Sequence, residues 1–243
     1  MNPTATSKTL LSVEHVSKRF GGLVATDDVS FTVAPGEIVG LIGPNGAGKT
    51  TLFNCIAGFF APSSGAIHLN GASIGGKSPE QCARQGVGRT FQIARTFGSM
   101  TALENVMVGA FLKSRDVKVS RARSLELLEF VDLAEHADRP SATMTISEQR
   151  RMAVARALAL DPVLLLMDEV MAGLNPAEVN EAVEVVLKIK AQGIACLIVE
   201  HVLEGIMPIA NRIVVLDGGK KIADDAPAAV SNDPAVIAAY LGA

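Results

Sequence analysis

The sequence predicts an α/β fold: a parallel sheet flanked by helices, preceded by an antiparallel β region and interrupted by a helical insertion. Three observations carry this. The apolar runs EIVGLIG (37–43), VLLLMDE (163–169) and GIACLIVEH (193–201) have strand length without alternation, as expected of strands covered on both faces. Between the last two lies a helix with clear start and stop signals. Residues 100–160 keep helical periodicity and contain no convincing strand.

Taken in order, LLSVEHV (10–16) and VSFTV (29–33) are short and rich in β-branched residues. Gly21-Gly22 and Pro35-Gly36 punctuate them, which predicts an antiparallel start. EIVGLIG ends in glycine, and GKTTLFNCIAG (48–58) continues with helical spacing to a closing Gly58, giving strand, loop and helix. IHLNG (67–71) adds a strand that ends in an Asn-Gly turn. After the helical middle, NPAEVNEAVEVVLKIKAQG (175–193) offers Asn175 as N-cap, Pro176 in the first turn and Glu178 three residues after the cap. Lys188 and Lys190 lie near its end, and Gly193 terminates it. RIVVLDGGKKIA (212–223) reads as a hairpin around Asp217-Gly218-Gly219. No internal repeat and no linker is visible, so the helical region is an arm of one compact unit.

The composition excludes several classes. Of 243 residues 49% are hydrophobic and 19% charged, with 22 Gly and 11 Pro, unlike a disordered, collagen-like or low-complexity chain. No run reaches the roughly 18 to 20 apolar residues of a spanning helix. The richest, ALALDPVLLLM (157–167), is broken by Asp161 and Pro162. The start MNPTATSKTL has no long apolar region and is no secretory signal, so residues 1–9 read as a loose tail and the chain is expected in the cytoplasm. Cys55, Cys82 and Cys196 are too widely spaced for a disulfide framework or a zinc pattern. A net charge of -3 with one Tyr and no Trp argues against nucleic acid as a partner. The basic stretch KSRDVKVSRAR (113–123) reads as a solvated helix face.

Chemistry concentrates in GPNGAGKT (43–50), which matches G-x-x-x-x-G-K-[ST] between a predicted strand and a predicted helix. Gly43, Pro44, Asn45, Gly46, Ala47 and Gly48 let the backbone curl so that successive N–H groups and the helix start, through Thr51, face a polyphosphate. Lys49 can then reach the β- and γ-phosphates, and the Thr50 hydroxyl can hold Mg²⁺. VLLLMDE supplies the acids such a site needs. Asp168 is expected to bind Mg²⁺ through its water shell, and Glu169 to align the attacking water.

With these motifs the sequence resembles the ATP-binding cassette (ABC) family, the ATPase subunits of ABC transporters, over nearly the whole chain. The resemblance implies a P-loop NTPase (RecA-like) core with a parallel sheet, an N-terminal antiparallel β subdomain and an inserted helical subdomain. Residues 1–243 are then one ABC ATPase domain, with 10–92 and 161–243 as the core with its β subdomain and 93–160 as the helical subdomain. Gln92 in GRTFQ matches the family's Q-loop glutamine, which contacts Mg²⁺ or the attacking water. His201 matches the switch histidine that contacts the γ-phosphate, and Phe20 in KRFGG the aromatic that stacks on adenine. AGLNPAE (172–178) resembles the D-loop, placing Asn175 at a dimer interface as well as at a helix cap. FGGLVATDDVSFTV (20–33), GRTFQIARTFGSMTALENVMVG (88–109), DEVMAGLNPAE (168–178) and DPAVIAAYLGA (233–243) resemble the branched-chain amino acid uptake subfamily. That implies an ATP-hydrolysing subunit of an importer for branched-chain amino acids or a related small polar solute. It would sit peripherally on the cytoplasmic side of the bacterial inner membrane, with two integral-membrane permease subunits, a second ABC ATPase and, indirectly, a periplasmic solute-binding protein.

The sequence departs from the family at the signature, LSGGQ, where it reads MTISEQRR (144–151). In the resemblance this segment, here Thr145, Ile146, Ser147 and Glu148, covers the ATP held by the partner subunit. Thr145 keeps a hydroxyl, but Ile146 and Ser147 replace permissive glycines, and Glu148 brings negative charge near an anion. Equally, Thr145-Ile-Ser-Glu148 is a capping box that would turn the carboxylate away. Val170 stands where the family commonly has proline after the DE pair. A weakened signature beside intact Walker residues suggests a heterodimer with a partner whose signature is intact. The alternative is a regulatory nucleotide-binding subunit with weak hydrolysis.

Overall fold

A computed structural model describes residues 9–90 and 96–241. The chain opens with β1 (Leu11–Phe20) and β2 (Leu23–Val33), then β3 (Ile38–Ile42), α1 (Lys49–Ile56), β4 (Ser64–Leu69) and β5 (Ala72–Ser73). Next come α2 (Pro79–Arg84) and β6 (Val87–Arg89). The arm follows as α3 (Ala102–Ala110), α4 (Val117–Phe130), two 3₁₀ turns (Ala134–His136, Ser141–Thr143) and α5 (Ile146–Leu158). The chain closes with β7 (Leu164–Asp168), α6 (Pro176–Ala191), β8 (Ala195–Val199), α7 (Leu203–Ile206), β9 (Arg212–Asp217), β10 (Lys220–Asp225), α8 (Pro227–Ser231) and α9 (Pro234–Leu241).

The strands form two sheets. One is four-stranded and antiparallel, in the order β2-β1-β4-β5; the other is six-stranded, in the order β10-β9-β3-β8-β7-β6. In the larger sheet β9, β3, β8, β7 and β6 are parallel and β10 is an antiparallel edge. β3, β7 and β8 are buried at every position, which is why their sequences run apolar without alternation. Successive side chains still point to opposite faces. Ile38, Ile42, Leu165, Met167, Cys196 and Ile198 pack into one core with the helical arm and α6. Val39, Leu41, Leu164, Leu166, Leu197 and Val199 join a second core with α1 and the antiparallel sheet. The six-stranded sheet is thereby clamped between two apolar layers. All three cysteines are buried and free.

The expected order of elements is observed. Asn175 caps α6 in a capping box with Glu178, with Pro176 in the first turn. Five elements lay outside the sequence reading: β6 has three residues, α2 six, α7 four and α8 five, too short for periodicity to be read, and α9 has eight.

Candidate nucleotide-binding and hydrolysis site

Parallel strands expose their carboxyl ends on one edge of a sheet, and ligands collect there. Here β3 runs into residues 43–50, β7 ends at Asp168 with Glu169 next, β8 leads to His201, and β6 ends at Arg89. Leu41 of β3 pairs with Val199 of β8, and Val199 with Asp168 of β7, so the three ends lie level. They open on a groove of about 330 Å³ lined by Leu23, Val24, Ala25, residues 45–51, Glu169 and His201.

The loop that opens α1 is shaped for an anion. Gly46 and Gly48 have φ of 80° and 98°, values that side-chain-bearing residues rarely adopt. A Cβ on Gly46 would point into open space, whereas one on Gly48 would collide with the Ala25 carbonyl. α1 has no side-chain cap and no acid in its first turn. In contrast, α2 to α6 each begin on a capping side chain (Ser78, Thr101, Asp116, Thr145, Asn175), and Asp233 accepts from the start of α9. Uncapped amides at a helix start are the donors a polyphosphate requires. Lys49 is 5% exposed, and its Nζ donates to the Gly43 and Pro44 carbonyls at 2.7 and 2.9 Å. Burial lowers its pKa against the opposing pull of Glu169 and Asp168. A buried ammonium resting on loop carbonyls is poised to turn to phosphate oxygens.

Asp168 is 7% exposed. Burial raises its pKa, while Arg89, whose Nη2 lies 3.6 Å from Oδ2, acts in the other direction. Glu169 has φ of 49°, an uncommon conformation for a residue with a side chain, and its Oε1 lies 3.2 Å from Nε2 of His201. The two side chains assigned to water and to the γ-phosphate are thus neighbours on one rim. Phe20, 42% exposed at the end of β1, meets Phe60 edge-to-face at 5.2 Å, with the Lys18 ammonium 5.1 Å from its ring. Gln92 lies outside the described residues.

The signature segment sits on the arm. Thr145 and Glu148 form a capping box at the start of α5. The Glu148 carboxylate accepts from the Thr145 amide at 2.7 Å and from both terminal nitrogens of Arg139 at 3.1 and 3.0 Å, with His136 Nε2 at 3.3 Å. Of the two readings open in the sequence, the cap describes where this acid points. Ser147 is buried and lines a small cavity together with Val154, Met167 and Val170, while Ile146, 66% exposed, is presented to solvent.

Sequence reasoning missed Arg89, Arg139 and Glu200, whose roles depend on long-range contacts. Glu200 did carry a signal, since it is an acid closing the apolar run that leads to His201.

The sheet order and the glycine loop at the uncapped start of α1 place the chain among P-loop ATPases. Comparisons with known proteins make this specific. Residues 26–172 match the family model of the ABC transporter, and residues 220–243 that of the branched-chain amino acid ATP-binding cassette transporter. The chain is 40% identical to the high-affinity branched-chain amino acid transport ATP-binding protein LivG of Escherichia coli, over 97% of this chain and 99% of the relative. It is 38% identical to the high-affinity branched-chain amino acid transport ATP-binding protein BraF of Pseudomonas aeruginosa, over 97% of this chain and 99% of the relative. The ADP conformation of MJ1267, an ATP-binding cassette of an ABC transporter, superimposes with a TM-score of 0.89 at 30% identity, covering 97% of this chain and 99% of that one. The chain therefore belongs to the ABC transporter family, as an ATP-binding protein of the branched-chain amino acid type that hydrolyses ATP to drive transport.

Proposed function

We propose that this chain powers uptake of branched-chain amino acids or a related small polar solute through a bacterial inner-membrane importer, held peripherally on the cytoplasmic side. Its partners would be two permease subunits and a second ABC ATPase, with a periplasmic binding protein delivering the solute. The names of LivG and BraF support the solute class, and the match at residues 220–243 agrees with them. Among the described residues no helix is long and apolar enough to cross a membrane, so the solute path would belong to other subunits.

In the proposed cycle ATP enters the groove with its adenine toward Phe20. The amides of residues 45–51 and the Lys49 ammonium bind the phosphates, and closure of two cassettes excludes bulk water. Glu169 orients water for in-line attack on the γ-phosphorus and polarises it, while His201 donates to a γ-phosphoryl oxygen. Release of phosphate reopens the pair, and that motion is the work delivered. Thr50, Asp168 and Gln92 would hold Mg²⁺, which supplies charge neutralisation on the phosphates. The Thr50 hydroxyl and a buried carboxylate at a strand end are hard oxygen donors suited to that ion. The domain division proposed from the sequence goes with this cycle: residues 93–160 would move as an arm relative to 10–92 and 161–243.

The observation that carries the reading is the uncapped, acid-free start of α1 facing Glu169 and His201 across one groove. The signature departure leads us to a heterodimer. Ile146 in place of glycine covers a partner's ATP less closely, whereas this chain's own Walker residues are complete. ATP turnover of this cassette alone is therefore expected to fall below that of a mixed pair with a cassette carrying LSGGQ. Equal rates would contradict the heterodimer, and no hydrolysis in either would favour the regulatory alternative.

A further inference from the structure

The turn that follows Glu169 is fastened from two sides. From the arm, the Arg150 guanidinium of α5 donates to the carbonyls of Val170 and Ala172 at 3.3 and 2.5 Å. From the sheet, Glu200 reaches the same turn, its Oε1 accepting from the Met171 amide at 2.8 Å. Its other oxygen accepts from the His201 amide at 3.3 Å, and the Val202 amide adds a third donor. Glu200 is 0% exposed, and among the described residues no lysine, arginine or histidine is paired with it. It does not line the groove.

A buried carboxylate without a cation is costly. Its use here lies in geometry. The two oxygens join the segment carrying Glu169 to the segment carrying His201, and the side chains of those residues meet at 3.2 Å. Glu169 itself has a left-handed φ of 49°, a conformation that persists only where its surroundings hold it. Amides approach both oxygens, so the site calls for an acceptor on each side. A glutamine would turn an NH₂ donor toward one of those N–H groups and lose that fastening.

We propose that Glu200 is a positioning residue that fixes the turn after Glu169 against His201, so that both face one γ-phosphate. The proposal rests on the reading above, in which Glu169 and His201 act on ATP. Glu200 and Arg150 then hold the same four-residue turn from the sheet and from the signature helix. Displacement of that turn disturbs the chemistry while leaving the phosphate cradle intact, because Gly46, Gly48 and Lys49 sit on the loop from β3 to α1.

The test is steady-state ATP turnover of the full chain, assembled with its membrane subunits and partner ATPase, for Glu200→Gln, His201→Ala and the double variant. Glu200→Gln is expected to lower kcat about 10-fold, within the range that small misplacements of reacting groups produce, with KM for ATP changed less than about twofold. The double variant is expected to be slower than His201→Ala alone, but by clearly less than about 10-fold, since the part of the Glu200 effect that runs through the histidine is already gone and only the part that runs through Glu169 remains. Wild-type kcat in Glu200→Gln beside an impaired His201→Ala would overturn the proposal while leaving the reading of the site intact. Losses that multiply in the double variant would overturn it too. Wild-type turnover in His201→Ala would remove the reading beneath it and the proposal together. If Glu200→Gln fails to fold, Glu200→Asp keeps an acceptor-only group with shorter reach. A reduced kcat at unchanged KM is then expected, and wild-type kcat would overturn the role.

Discussion

Replacing Arg139 by Met tests how the altered signature is held. The Glu148 carboxylate is 13% exposed and Arg139 33%, and the guanidinium meets both carboxylate oxygens at 3.0 and 3.1 Å. Burial pushes the Glu148 pKa up, but the Thr145 amide and Arg139 outweigh it, so the net shift is downward. Methionine keeps the packed stem and removes the charge. Stripping the partner from a fully buried ion costs roughly 3–5 kcal/mol; with Arg139 one-third exposed and His136 still near, screening reduces this to about 2 kcal/mol. In a chain of this length that lowers Tm by roughly 4–8 °C. Thermal unfolding of Arg139→Met, Glu148→Gln and the double variant at pH 7.5 is the assay, and the double variant should be less destabilised than the sum by about 1 kcal/mol or more. The sign with pH follows from the depressed pKa. The Glu148 contribution is complete above the ordinary carboxylate range and is lost as pH falls through its lowered folded value, so the Arg139→Met deficit should shrink in acid. Wild-type Tm in Arg139→Met, or strict additivity in the double variant, would refute the clamp. The Glu148 charge would then be free to face the partner's nucleotide.

Two further outcomes follow from the groove and its surroundings. Gly46→Ala meets open space and bears only a left-handed strain of about 1 kcal/mol. Gly48→Ala also collides with the Ala25 carbonyl and should cost at least about 2 kcal/mol. Denaturant unfolding should rank them so, with ATP binding weakened in both, and the reverse order would contradict the loop geometry. Burial raises the Glu200 pKa from 4.5 to about 7 despite its backbone donors. Between those values the folded state holds a proton that the unfolded chain has lost, so this stabilising term is complete below pH 4.5 and fades as pH rises to 7. The Tm of wild type relative to Glu200→Gln should therefore fall from pH 5 to pH 8, with the underlying term up to about 3 kcal/mol. A pH-independent difference would place the carboxylate in a wetter setting.

Much of this arrangement was legible because local signals and global fold agree. The runs at 37–43, 163–169 and 193–201 are apolar throughout because β3, β7 and β8 are covered on both faces. The box at Thr145 and Glu148 could be read as a cap, yet the sequence left its acid equally able to face an anion. Arg139, nine residues upstream, tips that balance, and no spacing rule announces it. Arg89 was in view within GRTFQ, but its ion pair with Asp168 depends on β6 lying beside β7, a contact between residues 79 positions apart. Likewise Glu200 read as the end of a strand until the 170–172 turn was folded against it.

The most direct measurement is ATP turnover of the assembled transporter carrying Glu169→Gln, with nucleotide binding followed in parallel. Glutamine keeps the size and one acceptor but cannot take up a proton from water, and loss of a general base typically costs 10²- to 10⁴-fold. The account predicts a fall in kcat of at least about 100-fold with ATP binding retained. Unchanged turnover would contradict it and make this chain a nucleotide sensor beside a partner that does the hydrolysis.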